Sequence, residues 1–262
     1  MSTIVLIRGT TLDSGHHSAL LVRGPGSDSG RAAVLLATEA TLDSRRRLAN
    51  AAQGRDEELI NSITHGLGLV LSIAGLPALV TLAASVGSAR CAVGSGVYGA
   101  SLVALYAAST LFHSWPEGEV KRVFHLMDHI GIYVLIVGTY TPMALFGSSG
   151  RFGWACLTAA WAIAAVGSCV KVARINRLND ESSMPYFVVC AICLIPFLRL
   201  LESVPQGAIK WLLAGGFFYI AGLIFFFNHQ KRFYHSIWHM FVLAGSICHY
   251  RAVLAFMIAV VF

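Results

Sequence analysis

Charge is scarce in this chain. Asp, Glu, Lys and Arg together make up 12% of it, about half of the roughly 25% usual in soluble domains. Hydrophobic residues make up 56%, and the mean hydropathy is +0.68. That balance excludes an ordinary soluble surface. It reads as an integral membrane protein and, with so much of the 262 residues in apolar runs, as one membrane domain. The formal net charge of +6 does not point to nucleic acid. The basic residues sit in short clusters between apolar segments, where they act as topology signals.

Other absences narrow the chemistry. No G-x-x-x-x-G-K-[ST] and no G-x-S-x-G occurs, so neither phosphate-loop nor serine-elbow chemistry has support. Gly94, Gly96 and Gly99 in the second apolar segment read as close helix packing instead. No second cysteine pair follows Cys190-x-x-Cys193 at zinc spacing, and the neighbours Val188, Val189, Ile192 and Leu194 supply no electropositive setting. The pair, like Cys91, Cys156, Cys169 and Cys248, reads as small hydrophobes. No secretory h-region opens the sequence, since Ile4-Val5-Leu6-Ile7 is far too short for one.

What the chain does have is a series of long apolar segments. The expected fold is an all-α integral membrane protein, a seven-transmembrane-helix bundle. Its spans fall at about 60–86, 92–113, 123–147, 152–171, 184–201, 209–228 and 235–260. Each is long enough for a helix to cross about 30 Å of hydrocarbon, the fifth barely so. Residues 1–52 differ: rich in Gly, Ser, Arg and Ala and without sustained period, they read as a flexible cytoplasmic extension preceding a 53–262 transmembrane domain. A short helix over Ala32 to Ala52, carrying Arg45-Arg46-Arg47, is the alternative there, as an anchor for anionic headgroups.

Loop charge sets the expected orientation. The tail and the loops after spans two, four and six carry Arg8, Arg23, Arg31, Arg45, Arg46, Arg47, Arg55, Lys121, Arg122, Lys171, Arg174, Arg177, Lys231 and Arg232. The loops after spans one, three and five carry only Arg90, Arg151, Arg199 and Lys210. The excess predicts a cytoplasmic N-terminus and an external C-terminus.

That orientation brings ionisable residues to one depth. Span two ends at the cytoplasmic side with Ser109-Thr110-Leu111-Phe112-His113. Span three starts there with His125, Asp128 and His129, span seven with His235 and His239, and span one with Glu58, Asn61 and His65. His235 and His239, four apart, share one helical face, the spacing two imidazoles need to hold one metal. His113 comes to matching depth from another span. Catalytic zinc uses three protein ligands and keeps a fourth position open. A metal site of His113, His235 and His239 is therefore expected, with Zn2+ as cofactor. Ser109 lies one turn before His113. Asp128 is the candidate base, because the glutamate of H-E-x-x-H is replaced here by Ser236, which removes the zincin reading.

Each histidine also has a blander reading as a helix-end cap or a snorkelling side chain. His125 and His129 fit packing or support roles better than ligation. His249 lies on the order of 15 Å deeper than His239 and is expected to be bonded within the bundle. Glu58 and Asn61 are expected to support the site structurally by capping helix one and fixing its end. The role of His65 is open, and His16, His17 and His229 lie outside the pattern.

Taken in order, four stretches resemble one family. They are Glu57-Glu58-Leu59-Ile60-Asn61-Ser62-Ile63-Thr64-His65-Gly66, Ser109 to His113, His125-Leu126-Met127-Asp128-His129 with Gly138-Thr139-Tyr140-Thr141-Pro142, and His235-Ser236-Ile237-Trp238-His239. The chain from about 56 to 262 resembles the hemolysin III proteins, bacterial relatives of the progesterone and adipoQ receptors, more distantly similar to alkaline ceramidases. The resemblance implies a seven-helix bundle in the bacterial inner (plasma) membrane with an inward N-terminus. It implies zinc on His113, His235 and His239, with Asp128 and Ser109 beside it. In the receptor and ceramidase relatives such a site is associated with hydrolysis of lipid amides, and the bacterial branch with haemolysis and membrane lipid homeostasis. Nothing in it transfers to the N-terminal extension.

The expected function is a zinc-dependent hydrolase of lipid amides or esters, with membrane lipids as substrate or ligand. Two alternatives stand beside it. One is a non-enzymatic membrane sensor with structural zinc. The other is a pore or proton-coupled transporter, which the clustering of polar groups at one side disfavours. Oligomeric state is open, a homo-oligomer included.

Overall fold

The computed structural model describes residues 28–146, 150–174 and 204–261, with side chains from Gly54 to Ala259 within those ranges. All regular structure among them is helical. The helices are α1 (Asp28–Ser85), α2 (Ala89–Ser114), α3 (Glu119–Phe146), α4 (Gly150–Ala173), α5 (Gln206–Phe226) and α6 (Tyr234–Val261). The chain divides into two compact units, Met1–Asp56 and Glu57–Phe262. Everything below concerns the second.

Six helices among the described residues are long and apolar enough to span a bilayer: Gly54–Ser85 of α1, then α2, α3, α4, α5 and Tyr234–Ala259 of α6. They coincide with six of the seven expected spans. The remaining one, the fifth, expected at 184–201, lies outside the described residues, as do the Cys190-x-x-Cys193 pair, His16 and His17. The outward faces are apolar, as a lipid solvent requires: Val70, Val166, Phe217, Ile220 and Ile224 are each more than 60% exposed. In water such a surface would be a large aggregation-prone patch.

Neighbouring helices run antiparallel, held by close contacts at small residues. α2 meets α3 where a Cβ on Gly94 would lie 2.9 Å from the Pro142 Cα, and where Gly131 and Gly138 of α3 receive Leu105 and Ser101 of α2. Gly99 of α2 receives Leu76 of α1, whereas Gly96 faces open space. Two of the three glycines expected to pack closely therefore do so. The Trp161 indole of α4 donates to Thr141 Oγ1 of α3 at 3.1 Å. Gly215 and Gly222 of α5 lie under His249 and Trp238 of α6. α6 also packs on α2 and α3. The buried centre is built from Leu79, Tyr98, Tyr106, Tyr133, Val137, Met143, Val253 and Met257.

The pairings put the ends of α2, α4 and α5 and the starts of α3 and α6 at one end of the bundle. Residues 57–65 of α1 join them there.

Candidate metal centre

His113 is the penultimate residue of α2, and His235 and His239 occupy the first two turns of α6. One ligand nitrogen from each lies within 4.8 Å of the others. Ring centroids are 5.4 Å apart for His113 and His235, 4.9 Å for His113 and His239, and 4.6 Å for His235 and His239. His113 and His239 are buried, and His235 is half-buried. α6 begins directly after Phe233, which adopts φ +60, a conformation uncommon for a bulky residue. The Phe233 backbone N–H donates to Glu57 Oε1 at 2.9 Å, which ties the turn that launches the histidine pair to α1.

The donor set fits a transition metal such as zinc. Buried polar nitrogens are normally hydrogen-bonded. Yet His113 Nε2 and His239 Nδ1 are buried with no hydrogen-bond partner among the described residues. The other nitrogen of His113 is committed: Nδ1 lies 2.7 Å from Glu58 Oε2. A metal-ligating imidazole commonly donates its second N–H to a carboxylate, which fixes tautomer and ring direction. Glu58 is itself held by Lys121, whose Nζ is 3.1 Å from Oε1. Lys121 is a largely buried cation, also paired to Glu117 at 3.3 Å.

Ser109 is fully buried one turn before His113. Its Oγ lies 2.7 Å from His65 Nδ1, and its side chain interacts with that of Asp128. Asp128 is half-buried on α3 and interacts electrostatically with His113. Asn61 accepts a hydrogen bond from Ser236 Oγ through its Oδ1, so the residue standing where a zincin has glutamate is turned toward α1. The expected capping role of Glu58 and Asn61 is corrected by the length of α1. It begins at Asp28, so both residues lie inside the helix and reach sideways to α2 and α6.

The remaining histidines are placed as follows. His125 stacks on Phe112 with centroids 4.5 Å apart. His129 Nδ1 bonds the His125 carbonyl at 2.9 Å. His249 donates through Nε2 to the Leu212 carbonyl at 3.3 Å. His229 caps α5, its Nδ1 3.0 Å from the Phe226 carbonyl. His65, whose role the sequence leaves open, is buried beside the triad. Its ring lies face to face on His239, centroids 3.6 Å apart and planes 9° from parallel. No linear spacing signals such a stack, because the two residues come from α1 and α6.

A family model described as haemolysin-III related matches residues 53–250. The chain belongs to the haemolysin-III related family. Hemolysin-3 of Bacillus cereus is 37% identical over 212 residues, 81% of this chain and 97% of that protein. The hemolysin-3 homologue of Bacillus subtilis strain 168 is 37% identical over 206 residues, 79% and 97% of the two chains. The human monocyte to macrophage differentiation factor is 27% identical over 205 residues, 75% of this chain and 83% of that one. The family match starts at residue 53, so the preceding stretch lies outside it. Family and helices together make this a multi-pass membrane protein of haemolysin-III type, with a histidine triad that can hold a metal.

Proposed function

We propose that this chain is a zinc-dependent hydrolase of lipid amides or esters that works within the membrane. The observation that carries the reading is the meeting, at one end of an apolar bundle, of three imidazoles from two helices with Ser109 and Asp128 beside them. Zinc, held by His113, His235 and His239, would supply Lewis-acid polarisation of a carbonyl and activation of water near neutral pH. Asp128 would supply a carboxylate beside the triad that takes a proton and returns it to a leaving group. Ser109, whose Oγ lies 2.7 Å from His65 Nδ1, would offer a hydroxyl beside the triad to a polar group of the substrate. The apolar outer faces of the helices give an acyl chain a lateral route to the site from the bilayer.

Seven spans, rather than six, suit the described ends. α4 finishes at the metal end: Gly167 lies against Tyr133, and Lys171 interacts with His125. α5 starts at the other end, because its last turn meets the first turn of α6 through Phe225 and Tyr234. The expected span at 184–201 would join these two ends. The described loops at the metal end carry Lys121, Arg122, Lys171, Arg174, Lys231 and Arg232, against Arg90, Arg151 and Lys210 opposite. That asymmetry supports a cytoplasmic metal end, and hence a cytoplasmic N-terminus, in a bacterial inner membrane. A C-terminal alkaline phosphatase fusion is expected to be active; a silent fusion with an active cytoplasmic reporter would reverse the orientation.

Purified protein is expected to hold one zinc per chain and to release fatty acid from lipid amides or esters. Asp128→Asn is expected to abolish that release with metal content unchanged. One observation favours a second reading, in which zinc only ties α2 to α6 in a sensor. The Ser109 hydroxyl is committed to His65 at 2.7 Å, which a structural site tolerates well. Turnover unchanged in Asp128→Asn, or absent from metal-loaded wild type across a panel of acyl-lipids, would favour it.

A further inference from the structure

His65 touches both halves of the site while belonging to neither. Its ring stacks on His239 at 3.6 Å with planes 9° apart, and the Tyr106 ring meets it edge-on at 5.0 Å. The His239 imidazole therefore has a flat, rigid neighbour against which it cannot swing. On its edge, His65 Nδ1 lies 2.7 Å from Ser109 Oγ. His65 and Ser109 are both buried, 3% and 0% exposed, so water does not compete for that bond.

The Ser109 side chain also interacts with that of Asp128, so the edge of His65 meets the hydroxyl that neighbours the carboxylate. The imidazole at 65 thus holds a metal ligand by its face and bonds a hydroxyl by its edge.

We propose that His65 is a positioning residue that couples the metal triad to the Ser109–Asp128 pair, through ring stacking on His239 and a hydrogen bond to Ser109. The stacking half concerns metal binding alone. The hydrogen-bond half rests on the hydrolase reading given above.

Two substitutions separate the halves. His65→Phe keeps a flat ring against His239 and removes the bond to Ser109. His65→Asn removes the ring and can place an amide group near the Nδ1 position. The test uses the full chain in detergent, with Co2+ in place of the native metal, read by competition affinity and by the ligand-field absorption of bound cobalt. His65→Phe is expected to bind within about threefold of wild type with the same spectrum. His65→Asn is expected to bind about tenfold more weakly with a shifted spectrum, in the range seen when groups outside the ligand set are altered. Should His65→Asn fail to fold, His65→Leu, apolar but not flat, takes its place with the same expectation. Wild-type affinity and spectrum in the Asn or Leu variant would overturn the stacking role, as would equal weakening in Phe and Asn.

A second readout addresses the hydrogen bond. In a preparation that turns over an acyl-lipid amide, His65→Phe is expected to lower kcat at least tenfold with KM nearly unchanged; an unchanged kcat would overturn this half. Wild-type protein that binds cobalt but shows no turnover removes the hydrolase reading and this half with it, while the cobalt measurement still decides the stacking half. Wild-type protein that binds no metal overturns the whole proposal.

Discussion

Two buried polar clusters lie within the one bundle, and they treat their hydrogen bonds differently. Deep between α2, α5 and α6, Ser246 gathers three tyrosines. Tyr106 donates to its Oγ at 2.8 Å, Tyr219 meets the same atom at 2.9 Å, and Tyr98 donates to its carbonyl at 3.1 Å. Tyr250 donates to the Gly75 carbonyl of α1 at 2.9 Å. At the metal end, His113 Nε2, His239 Nδ1 and His65 Nε2 are buried without a hydrogen-bond partner among the described residues. Where water is excluded, an unpaired polar group costs free energy that a paired one does not. The tyrosine cluster is thus complete by itself and joins helices. The histidine cluster leaves buried nitrogens unpaired among the described residues, and its triad could hold a metal. Tyr106 belongs to both, its hydroxyl in the first and its ring edge against His65 in the second.

The comparison breaks most visibly if the histidines are removed. His113→Ala, His235→Ala and His239→Ala are each expected to reduce zinc from about one per chain to near background by elemental analysis of purified protein, with the bundle still helical by circular dichroism. Stoichiometric zinc in the triple variant would mean that the unpartnered nitrogens hold no metal. Glu58→Gln comes next. The amide still reaches His113 Nδ1, but without charge it neither strengthens the imidazole as a ligand nor pairs with the buried Lys121. Zinc affinity is expected to fall about tenfold, at the lower end of the 10–100-fold range for such groups, as measured by chelator competition.

Much of this site can be read from the chain before any coordinates, for a specific reason. His235 and His239 lie on one helix, where four-residue spacing is geometry. His113 and Asp128 sit next to loops, so span direction alone fixes their depth. What resists reading are contacts across helices with no sequence period: His65 on His239, Ser236 to Asn61, Phe233 to Glu57. Those depend on the rotation of α1 about its own axis, and its apolar residues barely indicate that rotation because lipid-facing and core-facing positions are both apolar. The role of Glu58 is hidden for a related reason. In sequence it looks like a residue at a helix start, while α1 in fact continues back to Asp28.

The tyrosine cluster supplies the reciprocal test, with smaller effects. Ser246→Ala removes the oxygen shared by Tyr106 and Tyr219 and leaves the buried Tyr106 hydroxyl with only a long 3.5 Å contact to the Val242 carbonyl. A loss of about 1–3 kcal/mol of stability follows from an unsatisfied buried group, seen as a lower thermal midpoint in detergent, with zinc content unchanged. Loss of zinc in this variant would show that the two clusters are one unit.

The gentlest perturbation is Tyr219→Phe. It deletes one hydroxyl and leaves Ser246 still bonded to Tyr106 at 2.8 Å. The ring also keeps its edge contact with His249, centroids 5.2 Å apart. Removal of the hydrogen bond to Ser246 is worth about 0.5–1.5 kcal/mol net. The thermal midpoint is expected to fall by less than in Ser246→Ala, and zinc affinity to stay at the wild-type value. A fall as large as that of Ser246→Ala would place the stability of this cluster in the tyrosine hydroxyl rather than in the serine it converges on. The contrast with the metal end would then rest on the histidines alone.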